Sequence, residues 1–314
     1  MSSVLVTGAT GFVGANLARR MLQEGYEVHC LVRSPTRSWR LTDIAHKVIF
    51  HVADLCDAKE VRRALEAANP AHIIHLATAG VYRGKTAPDN ELFKTNIVGL
   101  VHLLEASKDI PYESFINTGS SSEYGITDVP MREDMPAHPV TAYGISKLAA
   151  TQYASLYAKE FQKPIITLRL FSPYGPYDFA GRFILYALSA SLRGEPLRLG
   201  SPDSKHDFIY VEDVVDAYLQ GLGRAKKCAG EVYNIGNGRE VSIADAAAEI
   251  QRVCGSKSVI SWGSNGAHRS GESPRWQADI AKAKRDLLWE PTISFADGLE
   301  KTAKWFRIHA SSYE

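Results

Sequence analysis

Val4-Leu5-Val6-Thr7-Gly8-Ala9-Thr10-Gly11-Phe12-Val13-Gly14 is the stretch that decides the fold. A short apolar run leads into glycines spaced G-x-x-G-x-x-G, and Gly14 to Glu24 then places Leu17, Ala18, Met21 and Leu22 on one helical face. Strand, glycine turn and helix in that order let the backbone approach a pyrophosphate, with the helix's N-terminal amides and positive dipole end aimed at the anion. A glycine turn alone is a weak signal, and its position directly after an apolar strand strengthens it. Gly8, Thr10, Gly11, Phe12, Val13 and Gly14 are therefore the expected dinucleotide contacts.

Outward from this turn, β-rich runs alternate with helical stretches, the pattern of βαβ units and a parallel sheet. Further strands are expected at Glu27–Val32, Val48–Val52, His72–Ala77, Phe115–Thr118 and Ile165–Leu170, with helices at Ala58–Ala68, Asp89–Ser107 and Ala142–Phe161. The fold class is thus α/β, a doubly wound parallel (Rossmann) sheet with a smaller C-terminal lobe for substrate. Pro and Gly clusters after Phe171 mark the change of texture. A helix at Asp213–Gly221, a strand at Val232–Ile235 and a Ser242-capped helix at Ile243–Val253 interrupt the lobe. The expected division is 1–171 with about 231–253 for the dinucleotide domain, and 172–230 with 254–314 for the lobe.

The 314 residues are 45% hydrophobic and 23% charged, which excludes a largely disordered or collagen-like chain. Lys and Arg number 36 against 35 Asp and Glu, so no net field attracts nucleic acid or an anionic membrane, and an anionic ligand must be held locally. Cys30, Cys56, Cys228 and Cys254 form no Cys-x-x-Cys pair, so no metal site is expected and the thiols read as reduced. Neither a signal peptide nor an apolar run long enough to span a membrane is visible, and the expected location is cytoplasmic.

Strand two ends Leu31-Val32-Arg33-Ser34, without the acid that takes ribose hydroxyls in an NAD-selective site. Arg33, helped by Ser34 or Arg37, points instead to a 2′-phosphate, so NADP is the expected cofactor, with NAD as the other possibility and a merely solvated Arg33 as the alternative. Asp54 and Leu55, just past strand three, belong beside the adenine edge, unless Asp54 caps the next helix. Tyr143 and Lys147 are four apart on one helix face, and an adjacent ammonium makes a tyrosine hydroxyl a usable acid or base near neutral pH. Strand five delivers Ser120, Ser121 and Ser122 to the carboxyl end of the sheet, where a hydroxyl can meet a reacting oxygen or simply satisfy its own turn.

Taken together, Thr7–Gly14, His75-Leu76-Ala77, Ser120–Gly125, Tyr143-Gly144-Ile145-Ser146-Lys147, Asp207–Asp213, Arg269-Ser270-Gly271-Glu272 and Leu288-Trp289-Glu290-Pro291 resemble the extended short-chain dehydrogenase/reductases that act on nucleotide sugars, the epimerase/dehydratase type. The resemblance implies a catalytic trio of Ser120, Tyr143 and Lys147, with Tyr143 moving the proton and Lys147 on the nicotinamide ribose. It implies further cofactor contacts at Leu76, Ala77 and Thr78. Substrate contacts are implied at Ser121, Ser122, Ser172, Arg182, His206 and Arg269, the last on the diphosphate of a nucleotide-diphosphate sugar. Ser172 stands where relatives usually carry Asn, and His206 where many carry Arg.

Sugar dehydratases of this type place acids directly after the Ser120 position, whereas this chain has Ser121 and Ser122. Glu123, one residue later, belongs on the opposite face of an extended strand. The neighbourhood is nearest to that of GDP-4-keto-6-deoxymannose reductases. The expected reaction is therefore NADPH-dependent reduction of a 4-keto group on a nucleotide-linked 6-deoxyhexose, with NAD(P)-dependent 4-epimerisation of a UDP-hexose or UDP-hexuronate as the alternative, and 4,6-dehydration or a non-enzymatic nucleotide-binding scaffold ranked after it. A homodimer is expected through the helices at 89–107 and 142–161, with Ala149, Ala150, Tyr153 and Leu156 either facing out or lying in the chain's own core.

Overall fold

A computed structural model of the chain describes residues 2–34, 39–82, 85–263 and 275–313, without the side chains of 81, 82, 85 and 86. Strands β1 (Ser3–Thr7), β2 (Glu27–Val32), β3 (Ile49–Val52), β4 (His72–His75), β5 (Ser114–Ser120), β6 (Ile165–Leu170) and β7 (Val232–Ile235) form one sheet in the order β7-β6-β5-β4-β1-β2-β3. Every neighbouring pair is parallel. Helices cover both faces of such a sheet, so its central strands are buried along their length rather than alternately exposed. β6, for example, is buried at all six positions.

On one face, Leu17, Ala18 and Met21 of α1 (Phe12–Gln23) pack with sheet residues and with the later helix at Val211–Arg224. On the other face lie α2 (Ala58–Ala68), an interrupted helix and the long α5 (Ala142–Glu160), joined through Leu65, Leu103, Ala150 and Tyr157. Asp57 caps α2, accepting from the amides of Lys59 and Glu60, so the expectation that Asp54 caps it does not hold. The expected helix at 89–107 is α-helical over α3 (Asp89–Phe93), π-helical over Lys94–Val98 and α-helical again over α4 (Gly99–Ala106).

A third apolar cluster forms the lobe. It joins α6 (Phe183–Arg193), α8 (Ile243–Cys254) and α10 (Phe295–His309) through Leu188, Phe208, Ile250, Leu299 and Phe306. The helix α7 (Val211–Arg224) instead contributes Val214, Val215 and Tyr218 to the sheet's core, so α7 packs on the sheet and α8 in the lobe cluster, whereas the sequence division put 172–230 in the lobe and 231–253 with the sheet. Buried apolar surface decides each placement: Ala246, Ala247 and Ile250 of α8 are buried in the cluster that holds Leu188, Leu299 and Phe306. The short α9 (Ala281–Asp286) leads to Trp289, whose Nε1 donates to the Asp213 carbonyl, while Thr292 and Ile293 donate to the Asp213 carboxylate. That clasp ties the C-terminal element to the start of α7.

Of the four side chains named for a dimer face, one lies in the chain's own core. Ala150 is buried in its own chain's core and Tyr153 packs half-buried against it, whereas Leu156 is 58% exposed.

Candidate active site

The site lies where strands β1 to β6 end. Gly8, at φ +72, has no room for a side chain: an added Cβ would stand 2.6 Å from the Ala77 nitrogen, and one on Gly14 would stand 2.2 Å from the Gly8 oxygen. Gly11 occupies the N-cap of α1 with no side-chain cap and no acid in the first turn. This bare helix N-terminus, in a cradle that any Cβ would fill, fits the pyrophosphate of a dinucleotide. The cradle forms one wall of a cavity of about 930 Å³ that runs to the lobe.

Almost every residue expected to bind lines that cavity. Thr10, Phe12 and Val13 do so on α1's approach, Arg33 at the end of β2, Asp54 and Leu55 after β3, and Leu76, Ala77 and Thr78 after β4. Ser120, Ser121 and Ser122 follow β5, Tyr143 and Lys147 project from α5, and Ser172, Arg182 and His206 come from the lobe side. The Asp54 carboxylate accepts from the Cys56 amide. Arg33 is exposed and forms no ion pair among the described residues. Arg37 and Arg269 lie outside the described residues.

Thr141 caps α5 by accepting from the Gly144 amide at 3.0 Å, which starts the helix so that Tyr143 and Lys147 meet the cavity one turn apart. Lys147 is 4% exposed and donates to the Thr118 carbonyl at 2.5 Å. Burial pulls its ammonium down to about 8, with Glu123 acting against that pull. His75 hydrogen-bonds Thr7 at 2.8 Å, and burial next to Lys147 pushes it down to about 3, so it is neutral. Ser120 serves two ends: its hydroxyl caps the turn at Ser121–Glu123, accepting from the Ser122 amide, and it also borders the cavity. Burial, then Arg182, hold His206 near 4.

Three further features escape the sequence reading. Asn96, buried in the π-helical turn, accepts from Thr78 and the Ala79 amide and donates to the Ala79 carbonyl and Ser146, stitching the β4 loop to α5. Only the departure from α-helical pitch brings it there, and a helical-period reading carries no trace of that. Arg40 lines the cavity with its guanidinium 4.5 Å from the Phe179 ring centre and its Nε bonded to the Tyr177 carbonyl. Trp276 completes the lobe side. Glu123 is fully buried and absent from the cavity wall, but not for the reason expected: the strand ends at Ser120, and Ser121–Glu123 form a 3-10 turn rather than extended backbone.

The model of the NAD dependent epimerase/dehydratase family matches residues 4–236, which include the glycine cradle, the Ser120 turn and both helical residues of the trio. The chain belongs to that family. Its relatives include dTDP-glucose 4,6-dehydratase of Haemophilus influenzae, 26% identical over 99% of this chain and 100% of the relative. UDP-glucose 4-epimerase of Mycolicibacterium smegmatis is 29% identical over 96% of this chain and 98% of its own. Among solved structures, UDP-glucuronic acid 4-epimerase from Bacillus cereus, in complex with UDP-glucuronic acid and NAD, superposes with a TM-score of 0.87 at 28% identity, covering 98% of this chain and 99% of the other. UDP-glucose 4-epimerase of Thermotoga maritima, with UDP-glucose, also gives 0.87, at 26% identity, covering 98% of this chain and 99% of its own. The expectation of an enzyme of the short-chain dehydrogenase/reductase type therefore stands. The narrower likeness to GDP-4-keto-6-deoxymannose reductases has no counterpart among these relatives. Among the described residues no group of His, Cys, Asp and Glu could hold a metal ion, and no helix is long and apolar enough to cross a membrane.

Proposed function

We propose that the protein is a nucleotide-sugar 4-epimerase whose chemistry is confined to C4 of a hexose or hexuronate. The observation that carries this reading is the turn after β5: Ser120, Ser121 and Ser122 face the cavity, and the nearest acid of that turn, Glu123, is buried behind it. Dehydration needs a carboxylate beside the sugar to move a second proton and release water. The acids that do border the cavity, Asp54, Asp89 and Glu91, sit after β3 and at the start of α3 rather than on this turn. What the turn offers is hydroxyl groups, suited to the oxygen of a single carbon.

The nicotinamide supplies hydride acceptance and return when a dinucleotide is bound. Gly8 to Gly14 and the amides of α1 hold its pyrophosphate, and Lys147 its ribose. Tyr143 takes the C4 hydroxyl proton as the carbonyl forms and gives it back as the carbonyl is reduced, so the proton count closes within one turnover. Ser120 donates to the same oxygen while charge builds on it. Lys147 stabilises the phenolate form of Tyr143 through its positive charge. Arg182 and His206 on the lobe side hold the nucleotide diphosphate, together with Arg269. Relatives that are 4-epimerases support this reading.

One observation favours a second reading. Arg33, with no acid at the end of β2, suits the 2′-phosphate of NADPH, which a reductase of nucleotide-4-keto-6-deoxy sugars consumes and an epimerase does not. One experiment separates the two. UDP-glucose and UDP-glucuronate are incubated with the protein without added cofactor, and C4 epimers are sought by proton NMR; in parallel, NADPH oxidation is followed with 4-keto-6-deoxy nucleotide sugars. Epimer formation in the first arm is the expected result. Turnover in the second arm alone, with the cofactor preference reversed by Arg33→Asp, replaces the epimerase with the reductase.

A further inference from the structure

Glu123 is the most buried acid next to the site, and its contacts cross between elements. One carboxylate oxygen accepts from the Ser120 amide at 2.8 Å and from the Thr151 hydroxyl at 3.0 Å; the other accepts from Arg169 Nε on β6 at 2.7 Å. Thr151 stands one helical turn beyond Lys147 on α5, so a single carboxylate joins the Ser120 turn to the helix that carries Tyr143 and Lys147. The space behind is full: a Cβ on Gly119 would approach Glu123 Oε1 to 2.6 Å and the Arg169 side chain to 2.9 Å. The Arg169 guanidinium lies 4.6 Å from the Tyr124 ring centre, and Tyr124 donates to Asn234 on β7.

We propose that Glu123 is a positioning residue, which fixes the Ser120 turn against α5 and keeps the Lys147 amine in its ammonium form. Two of its three hydrogen-bond neighbours, the Ser120 amide and Arg169 Nε, can only donate, an arrangement that suits the carboxylate. Burial pushes its carboxyl upward, and Arg169 and Lys147 oppose that. The charged and titratable groups around Lys147 are His75 from β4, Glu123 from the turn after β5 with Arg169 of β6 behind it, and Tyr143 from α5 itself. His75 is neutral, so Glu123 is the anion that offsets the desolvation of the Lys147 ammonium.

The inference rests on Ser120, Tyr143 and Lys147 being the reacting trio, and not on which sugar is turned over. Its test needs no substrate: trace labelling of Lys147 with isotopic acetic anhydride across a pH series, read by mass spectrometry, reports the midpoint at which the amine loses its proton. In Glu123→Gln the midpoint should move down by about one pH unit or more. In steady state the same variant should lose up to about 10²-fold in kcat with KM unchanged, the cost of a misplaced reacting group. Glu123→Asp keeps the charge but is one methylene short, so it should restore the midpoint and not the kcat. If Glu123→Gln does not fold, Glu123→Gln with Arg169→Gln removes the ion pair as a unit and should show a downward midpoint smaller than that of the single variant, because loss of the Arg169 cation, which lies beyond Glu123, acts the other way. A midpoint that stays at the wild-type value in these charge-removing variants, with only a lower melting temperature, overturns the inference. A moved midpoint in a protein that turns over no nucleotide sugar supports it and counts against the epimerase alone.

Discussion

Tyr143 carries the proton in the proposed reaction, and its ring has a specific neighbour: a Cβ on Gly80 would lie 3.4 Å from its edge. Removing only the hydroxyl, in Tyr143→Phe, should leave dinucleotide affinity nearly unchanged and lower the turnover by about 10²- to 10⁴-fold, as loss of a general acid does. Equilibrium titration with NAD(H) and NADP(H), set beside kcat, checks both halves. The side chains expected at the site and found lining the cavity were legible because their chemistry is local: glycines where backbone must come close, a tyrosine four residues before a lysine, a serine at a strand's carboxyl end. Asn96, Arg40 and the partner of Glu123 were not, because each depends on a contact between residues far apart in the chain. Arg169 is 46 residues from Glu123, and nothing in a β-rich run around it marks one arginine as buried.

Among elements, α1 and the glycine turn before it show how tightly backbone packing constrains a binding surface. Gly14→Ala puts a Cβ within 2.2 Å of the Gly8 oxygen, a backbone atom that cannot swing aside. The variant should lose dinucleotide binding and melt at a lower temperature, measured by fluorescence titration and thermal unfolding; retained affinity would mean that the turn is not the pyrophosphate seat. Strand and helix positions were readable from apolar periodicity, with β2, β6 and β7 falling on their expected bounds. The π-turn at Lys94–Val98 was not readable, since five residues at the wrong pitch leave the apolar pattern of the surrounding helix intact. The assignment of α7 and α8 to their layers was equally hidden: both are amphipathic, and sequence alone does not say which core an apolar stripe meets.

For the molecule as a whole, several large apolar side chains of α3, the π-helical turn that follows it and α5 remain exposed. Val98 is 41% exposed, Ile145 47% and Leu156 58%, and Phe93 lies on the same helical layer. We propose that this surface pairs with a second copy, in keeping with the expected homodimer. Sedimentation at micromolar concentration should show a dimer that Leu156→Glu dissociates, because a charge at a desolvated contact is strongly unfavourable. A monomeric wild type refutes the pairing.

The return of the chain to the sheet at β7 has a consequence for how the protein is made. During synthesis β6, buried along its whole length in the finished fold, lacks a strand partner on one edge while residues 171–231, part lobe and part α7, emerge, until Val232–Ile235 pairs with it. The α7 side chains that cover that face arrive only shortly before. An unpaired apolar edge is the kind of surface on which nascent chains stick to one another. The interval thus falls after the residues of the trio have emerged and before the lobe side of the cavity, with Arg182 and His206, is complete, and its length is set by the order in which the sheet is threaded.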